Sequence, residues 1–214
     1  MSASPTIVAA AVCPHPLLMF RELGGAVDPV AEARAASLEA VAAVASAADQ
    51  VVVVGATDAY LSSPQVGADP DPLSIRVGRR LLADAGALLP GDDVVIGWDA
   101  DAAEAAALGR SLGESDVRTA LLVMGDLSAR RAGQGGPGTY DERAAGFDAQ
   151  VERALAAGDR AALGALDVAL GGELMVAGRA ALQVLSGVPA PRTAEVTYAA
   201  APYGVGYVVA RWTW

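Results

Sequence analysis

Four ionisable side chains follow four apolar runs that read as β-strands: His15, Asp58, Asp99 and Asp126. In an open α/β sheet, ligands bind beyond the carboxyl ends of the strands, so these residues gather where a site is expected. A histidine among carboxylates can hold a metal, move a proton or orient a polar ligand. The bland reading is that aspartate is a good turn and cap residue, and Asp99 fits a helix cap best. The loop Gly125-Asp126-Leu127-Ser128-Ala129-Arg130-Arg131 adds two adjacent arginines, whose forked donors suit carboxylates and phosphates. His15, Asp58, Asp126, Ser128, Arg130 and Arg131 therefore form the candidate ligand-binding set. Against this, the arginines can pair with Asp141 and Glu142 or stand in solvent.

Cys13 and His15 flank Pro14 and can approach one metal, but carboxylates would have to complete the site. Glu173, after Gly171-Gly172, is the acid placed to join His15 as a metal ligand. A buried structural thiol is the simpler reading of Cys13, and a first-turn glutamate complementing a helix dipole the simpler reading of Glu173. Two motif matches fail on context. Gly133-Gln134-Gly135-Gly136-Pro137-Gly138 fits GxGxxG, yet lies well past its strand and carries proline where a helix should open. Gly109-Arg110-Ser111-Leu112-Gly113 fits GxSxG, yet falls at a helix end, with the lone histidine before it in the chain.

Composition narrows the chemistry further. The 214 residues contain one histidine, one cysteine, no lysine and no asparagine. Without lysine there is no Walker A loop and no Schiff-base enzyme. One cysteine excludes an intramolecular disulfide and a CxxC pair, and one histidine excludes HExxH. The net charge of −10 repels phosphate backbones, so nucleic acid is not an expected partner. No apolar run approaches the ~20 residues that span a bilayer, and no basic region precedes the first apolar run. The expectation is a cytoplasmic protein with no membrane partner.

The elements that must position these residues alternate. Strands are read at Thr6–Val12, Val51–Val54, Asp93–Gly97 and Thr119–Met124. Helices are read from Asp28-Pro29 to about Ala48, over Ile75–Leu89, and from an Asp99 cap to about Leu112. Further helices are read at Asp141–Ala157, Arg160–Leu166 with Asp159 as cap, and Gly172–Leu185. Glu195–Ala200 and Val205–Trp212 form a terminal hairpin around Ala201-Pro202-Tyr203-Gly204. The pattern predicts an α/β fold: one domain over 1–214, a three-layer α/β/α sandwich with a mixed central sheet and a C-terminal β-hairpin. Tyr203, Tyr207, Trp212 and Trp214 suit either core strands or an oligomer interface.

Ala11-Val12-Cys13-Pro14-His15-Pro16, Val51–Val54, Met124-Gly125-Asp126-Leu127-Ser128, Gly171-Gly172-Glu173 and Tyr203-Gly204-Val205-Gly206-Tyr207 occur in that order. Together they resemble the catalytic (LigB-type) subunit of class III extradiol ring-cleavage dioxygenases and the related Memo-like proteins, in a branch from high-GC bacteria. The resemblance implies a mixed α/β sheet, non-haem Fe(II) held by two histidines and a glutamate, and a further histidine as acid/base. On it, His15 corresponds to the first metal histidine and Glu173 to the glutamate. The second metal histidine would fall near Ala56–Asp58, where there is none, and the acid/base position is Ala129. The resemblance thus implies a degenerate member that has lost the parent chemistry, needs no cofactor, and binds a small anionic or aromatic ligand in the former crevice. One alternative is an active metal-dependent oxidoreductase with altered ligands, holding Fe(II) or another divalent metal. Another is an interaction or homo-oligomerising protein with a vestigial site.

Overall fold

Val51–Val54 and Thr119–Met124 are continuous apolar runs with no polar alternation, which only a strand covered on both faces can bury. The computed structural model, which describes residues 6–57, 71–87, 92–132 and 138–214, realises that arrangement. Six strands, β1 (Ile7–Cys13), β2 (Gln50–Ala56), β3 (Val94–Ile96), β4 (Thr119–Met124), β5 (Thr193–Ala200) and β6 (Tyr207–Thr213), form one mixed sheet in the order β3-β2-β4-β1-β6-β5. The first four strands run parallel to one another, and β6 lies antiparallel to both β1 and β5.

Helices α1 (Ala31–Ala45) and α2 (Leu73–Asp84) cover one face. They pack Val41, Val44, Ile75 and Leu81 against Ala9, Ala11, Cys13 and Met124. The other face carries α3 (Ala102–Leu112), α4 (Arg143–Ala157), α5 (Arg160–Gly164), α6 (Val168–Glu173) and α7 (Arg179–Val184). There Phe147, Val151, Leu182 and Trp212 meet Val12, Val54, Leu121 and Val123. The α/β sandwich and its C-terminal strand pair are those expected. Tyr207 and Trp212 sit in the core, whereas Tyr203 is exposed.

Several boundaries differ from the sequence reading, each for a local reason. Asp28 does not cap α1 directly: its Oδ1 accepts the Val30 N–H at 3.1 Å and its Oδ2 takes Arg34 Nε at 2.8 Å. Arg34 then reaches the Leu18 and Met19 carbonyls, so α1 clamps the 3-10 turn that follows His15. Asp101, and not Asp99, caps α3 by accepting the Glu104 N–H at 2.8 Å. Asp159 caps α5 as predicted. The helix read over Gly172–Leu185 is broken. Here α6 ends at Glu173, Met175 takes a left-handed backbone (φ 56°), and α7 restarts at Arg179. The GxGxxG stretch and the second half of the Ser62–Pro72 loop's predecessor at Asp58 lie outside the described residues, apart from Gly138.

Among the described residues no helix is long and apolar enough to cross a membrane.

Candidate functional site

His15 lies between two prolines just beyond β1, in a stretch where neither proline can donate a hydrogen bond. Its own N–H is therefore the free donor of the corner, and Asp126 Oδ1 accepts it at 2.7 Å. Asp126 leaves β4 at the same level. The Gly125 N–H continues the parallel ladder to the Cys13 carbonyl at 2.9 Å, and the Asp126 carbonyl accepts the Gly178 N–H at 2.9 Å. A side chain on Gly178 would collide with the Gly125 backbone, so two glycines let the start of α7 reach the Asp126 peptide.

The imidazole is held without being hydrogen-bonded. Its Nδ1 stands 3.8 Å from Asp126 Oδ1, and this buried atom has no partner. The two side chains are 10% and 14% exposed, so both groups are largely out of water. Burial pushes the Asp126 carboxyl above the usual aspartate range, and the proximity of His15 only partly offsets it. Tyr207 joins them. It is buried at the start of β6, and its phenol is raised by burial first and then by Asp126, Tyr198 and Tyr203. Sequence reading weighed Tyr207 only as core or interface; the signal available was its place in the Tyr203–Tyr207 motif.

Ser128 and Arg131 belong to a different arrangement. Asp148 of α4, fully buried, accepts the Ser128 N–H at 2.9 Å, the Ser128 hydroxyl at 3.0 Å and Arg131 at 3.0 Å. These bonds brace the 125–131 loop. Antiparallel bonds from Leu127 to the Gly206 carbonyl and from Arg131 to the Gly204 carbonyl lay the same loop along the entry to β6. Asp148 was not among the candidates, because a polar residue within an amphipathic helix carries no sign of what it faces. The arginines do not make the pairs expected for them: Arg131 takes Asp148, and Asp141 takes Arg143.

Arg130 and Glu173 lie apart from His15. The buried Arg130 Nε has no partner, and its stem packs where a side chain on Gly138 would fall. No hydrogen bond or ion pair among the described residues joins it to His15 or Asp126. Glu173 is exposed and pairs with Arg143 at 2.8 Å, in a surface group where Arg143 also draws Asp141 down to about 2. It stands at the end of α6 and not in the first turn of a helix, so the helix-dipole role read for it does not apply.

Fe(II) of the extradiol type needs two imidazoles and a carboxylate. The chain has a single histidine, and among the described residues no three His, Cys, Asp or Glu side chains gather to hold a metal. The donor set present does not fit that ion; Asp58 lies outside the described residues. Ala129, at the acid/base position, is buried and offers no titratable group. Cys13 is fully buried, and desolvation pushes its thiol up to about 12.

The sequence matches no family model and no curated protein. Among solved structures, an uncharacterized protein from Escherichia coli K12 is similar over 95% of this chain and 99% of its own, at 12% identity and a TM-score of 0.47.

Proposed function

We propose that the chain is a small-molecule-binding protein, a degenerate relative of the class III extradiol dioxygenases that keeps the crevice at the carboxyl edge of the sheet without ring-cleavage chemistry. One observation carries the reading: His15, the only histidine, is buried beside Asp126 with its ring Nδ1 unpartnered. Buried polar atoms are seldom left without a partner in a folded protein, so such an atom at the edge where α/β proteins bind ligands speaks for one.

Of the two ligand classes, the aromatic one has the better support. Asp148 already holds Arg131, and Arg130 makes no contact with the imidazole or with Asp126, so an anion there has no arginine to meet. Tyr198 and Tyr203 lie close enough to Tyr207 to act on its phenol, which places aromatic surface near the pair.

Two measurements test the reading. A thermal-shift panel of aromatic and carboxylate compounds should contain a stabiliser whose effect disappears in His15→Ala. A panel in which every stabiliser acts equally on that variant would overturn the His15 site. Elemental analysis of untagged protein from Fe(II)-supplemented cells should find no stoichiometric metal. About one metal per chain, lost in His15→Ala, would instead favour the metal-dependent oxidoreductase.

A further inference from the structure

Cys13 pairs with Met124 on one side of β1, and Val12 pairs with Ala210 on the other. Continued past the strand end, the two ladders set His15 level with Asp126 and also with Tyr207. Side chains on one rung project to the same face. Cys13, Met124 and Tyr207 all belong to the core under α1 and α2, so the continued rung faces that side. Tyr207 is 3% exposed, and among the described residues its hydroxyl makes no hydrogen bond. Three polar groups thus meet on one rung with capacity to spare: the Asp126 carboxyl, the Tyr207 hydroxyl and the unpartnered His15 Nδ1.

We propose that this rung is an ammonium site, in which Asp126, Tyr207 and His15 receive the head group of a small primary amine. The inference rests on the crevice reading above and names the polar end of its ligand. An ammonium carries three N–H donors and no acceptor. The rung offers three acceptors to match: a carboxylate oxygen, a phenol oxygen and, in the Nε2–H tautomer, the Nδ1 lone pair. Charge agrees with the donor count. Within this group only the imidazole acts on Asp126 with the opposite sign, and a buried carboxylate short of compensation favours a cation beside it. The chain's net charge of −10 raises the local concentration of cations and depletes anions. An anion would instead face a carboxyl and a phenol that both resist more negative charge, as the upward shift of Tyr207 caused in part by Asp126 indicates.

Benzylamine, benzyl alcohol and benzoate share a ring and differ only in the head group, so they test this directly. Because His15 is the sole histidine, its ring signals in a ¹⁵N-histidine-labelled sample report the site without assignment. Benzylamine should shift those signals saturably, and bind at least about tenfold more tightly than benzyl alcohol or benzoate, the ratio of one charge-assisted hydrogen bond. Asp126→Asn, which keeps an acceptor for the His15 N–H, should weaken benzylamine by about tenfold or more. Tyr207→Phe, which keeps the buried ring, should weaken it by about threefold to tenfold. Benzoate or benzyl alcohol binding as tightly as benzylamine would overturn the ammonium site while leaving the crevice reading in place. Benzylamine that binds both variants as it binds the wild type would overturn the residue assignment. Silence of the His15 signals with all three probes would overturn the inference, and the compound panel with His15→Ala then decides the crevice separately.

Discussion

Asp126 Oδ1 accepts the backbone N–H of His15 at 2.7 Å while the same residue's ring Nδ1 stands 3.8 Å away and unbonded. The carboxyl therefore fixes where the histidine sits and leaves the ring's own hydrogen-bonding capacity unspent. Asp126→Ala should leave that N–H without its acceptor and lower stability by about 1–3 kcal/mol in denaturant unfolding. Asp126→Asn keeps an acceptor oxygen and should be no less stable than the wild type at pH 7. Equal losses in both variants would show that the charge, and not the hydrogen bond, holds the corner.

The pH dependence of that comparison has a definite sign. Burial raises the folded-state Asp126 carboxyl above its ordinary value of 3.8, so between the two values the folded chain binds more protons than the unfolded one. This group then costs stability at neutral pH, and acidification removes the cost. The advantage of Asp126→Asn should be largest near pH 7 and shrink as the pH falls towards 4 in matched thermal melts. An advantage that grows on acidification would mean that the native site stabilises the carboxylate.

Asp148 predicts a larger effect than any of the residues named from sequence. It is the shared acceptor of the Ser128 N–H, the Ser128 hydroxyl and Arg131, all within 3.0 Å. Asp148→Ala leaves a buried backbone donor unsatisfied and frees the 125–131 loop, and should cost about 2–4 kcal/mol. Arg131→Ala should cost less, about 1 kcal/mol, because that side chain is 29% exposed and solvent screens its ion pair. Unfolding curves for the two variants decide whether Arg131 braces the loop or stands ready for a ligand.

Much of this architecture was legible because it depends on period and punctuation. Valine runs closed by glycine gave β2, and the Pro-Tyr-Gly turn gave the β5–β6 pair. His15 and Asp126 could be read as neighbours, since both end strands at one edge of a parallel sheet. What stayed hidden depends on which helix faces meet. Asp148 reads as one polar residue of α4 until the fold sets it beneath Ser128. Glu173 looked like an inward acid because Gly171-Gly172 resembled a helix entry, whereas Asp167 caps an earlier helix and Met175 reverses the chain after it. Tyr207 looked like an ordinary β residue, and only the register of two ladders puts it beside His15.

Cys13 shows how burial silences a reactive side chain next to a site. It has no exposed surface, and desolvation pushes its thiol to about 12 despite a hydrogen bond involving Ser37. The thiolate is the nucleophile, so almost none is present at pH 8. A chromogenic thiol reagent should leave the native protein unmodified at that pH and react with one equivalent on unfolding in guanidinium. Rapid labelling of the native chain would show that the end of β1 opens to solvent.

The GxSxG match at Gly109–Gly113 separates a packing glycine from a nucleophile by a pair of substitutions. Gly109 lies in α3 with no room for a side chain: a Cβ there would fall on the Val184 carbonyl at the end of α7 and stand 3.0 Å from Gly187 Cα. Backbone cannot yield as a flexible side chain does, so Gly109→Ala must part α3 from α7 and should cost about 1–3 kcal/mol, or more if the helices cannot shift. Ser111 is exposed and its hydroxyl donates back to the Leu108 carbonyl at 2.8 Å, which spends the proton a nucleophile would lose to a base. Ser111→Ala should therefore change stability by no more than about 0.5 kcal/mol and leave any ligand response intact. The contrast places the constraint on this motif in the α3–α7 contact, which also sets where α7 begins and hence where Gly178 holds the Asp126 carbonyl.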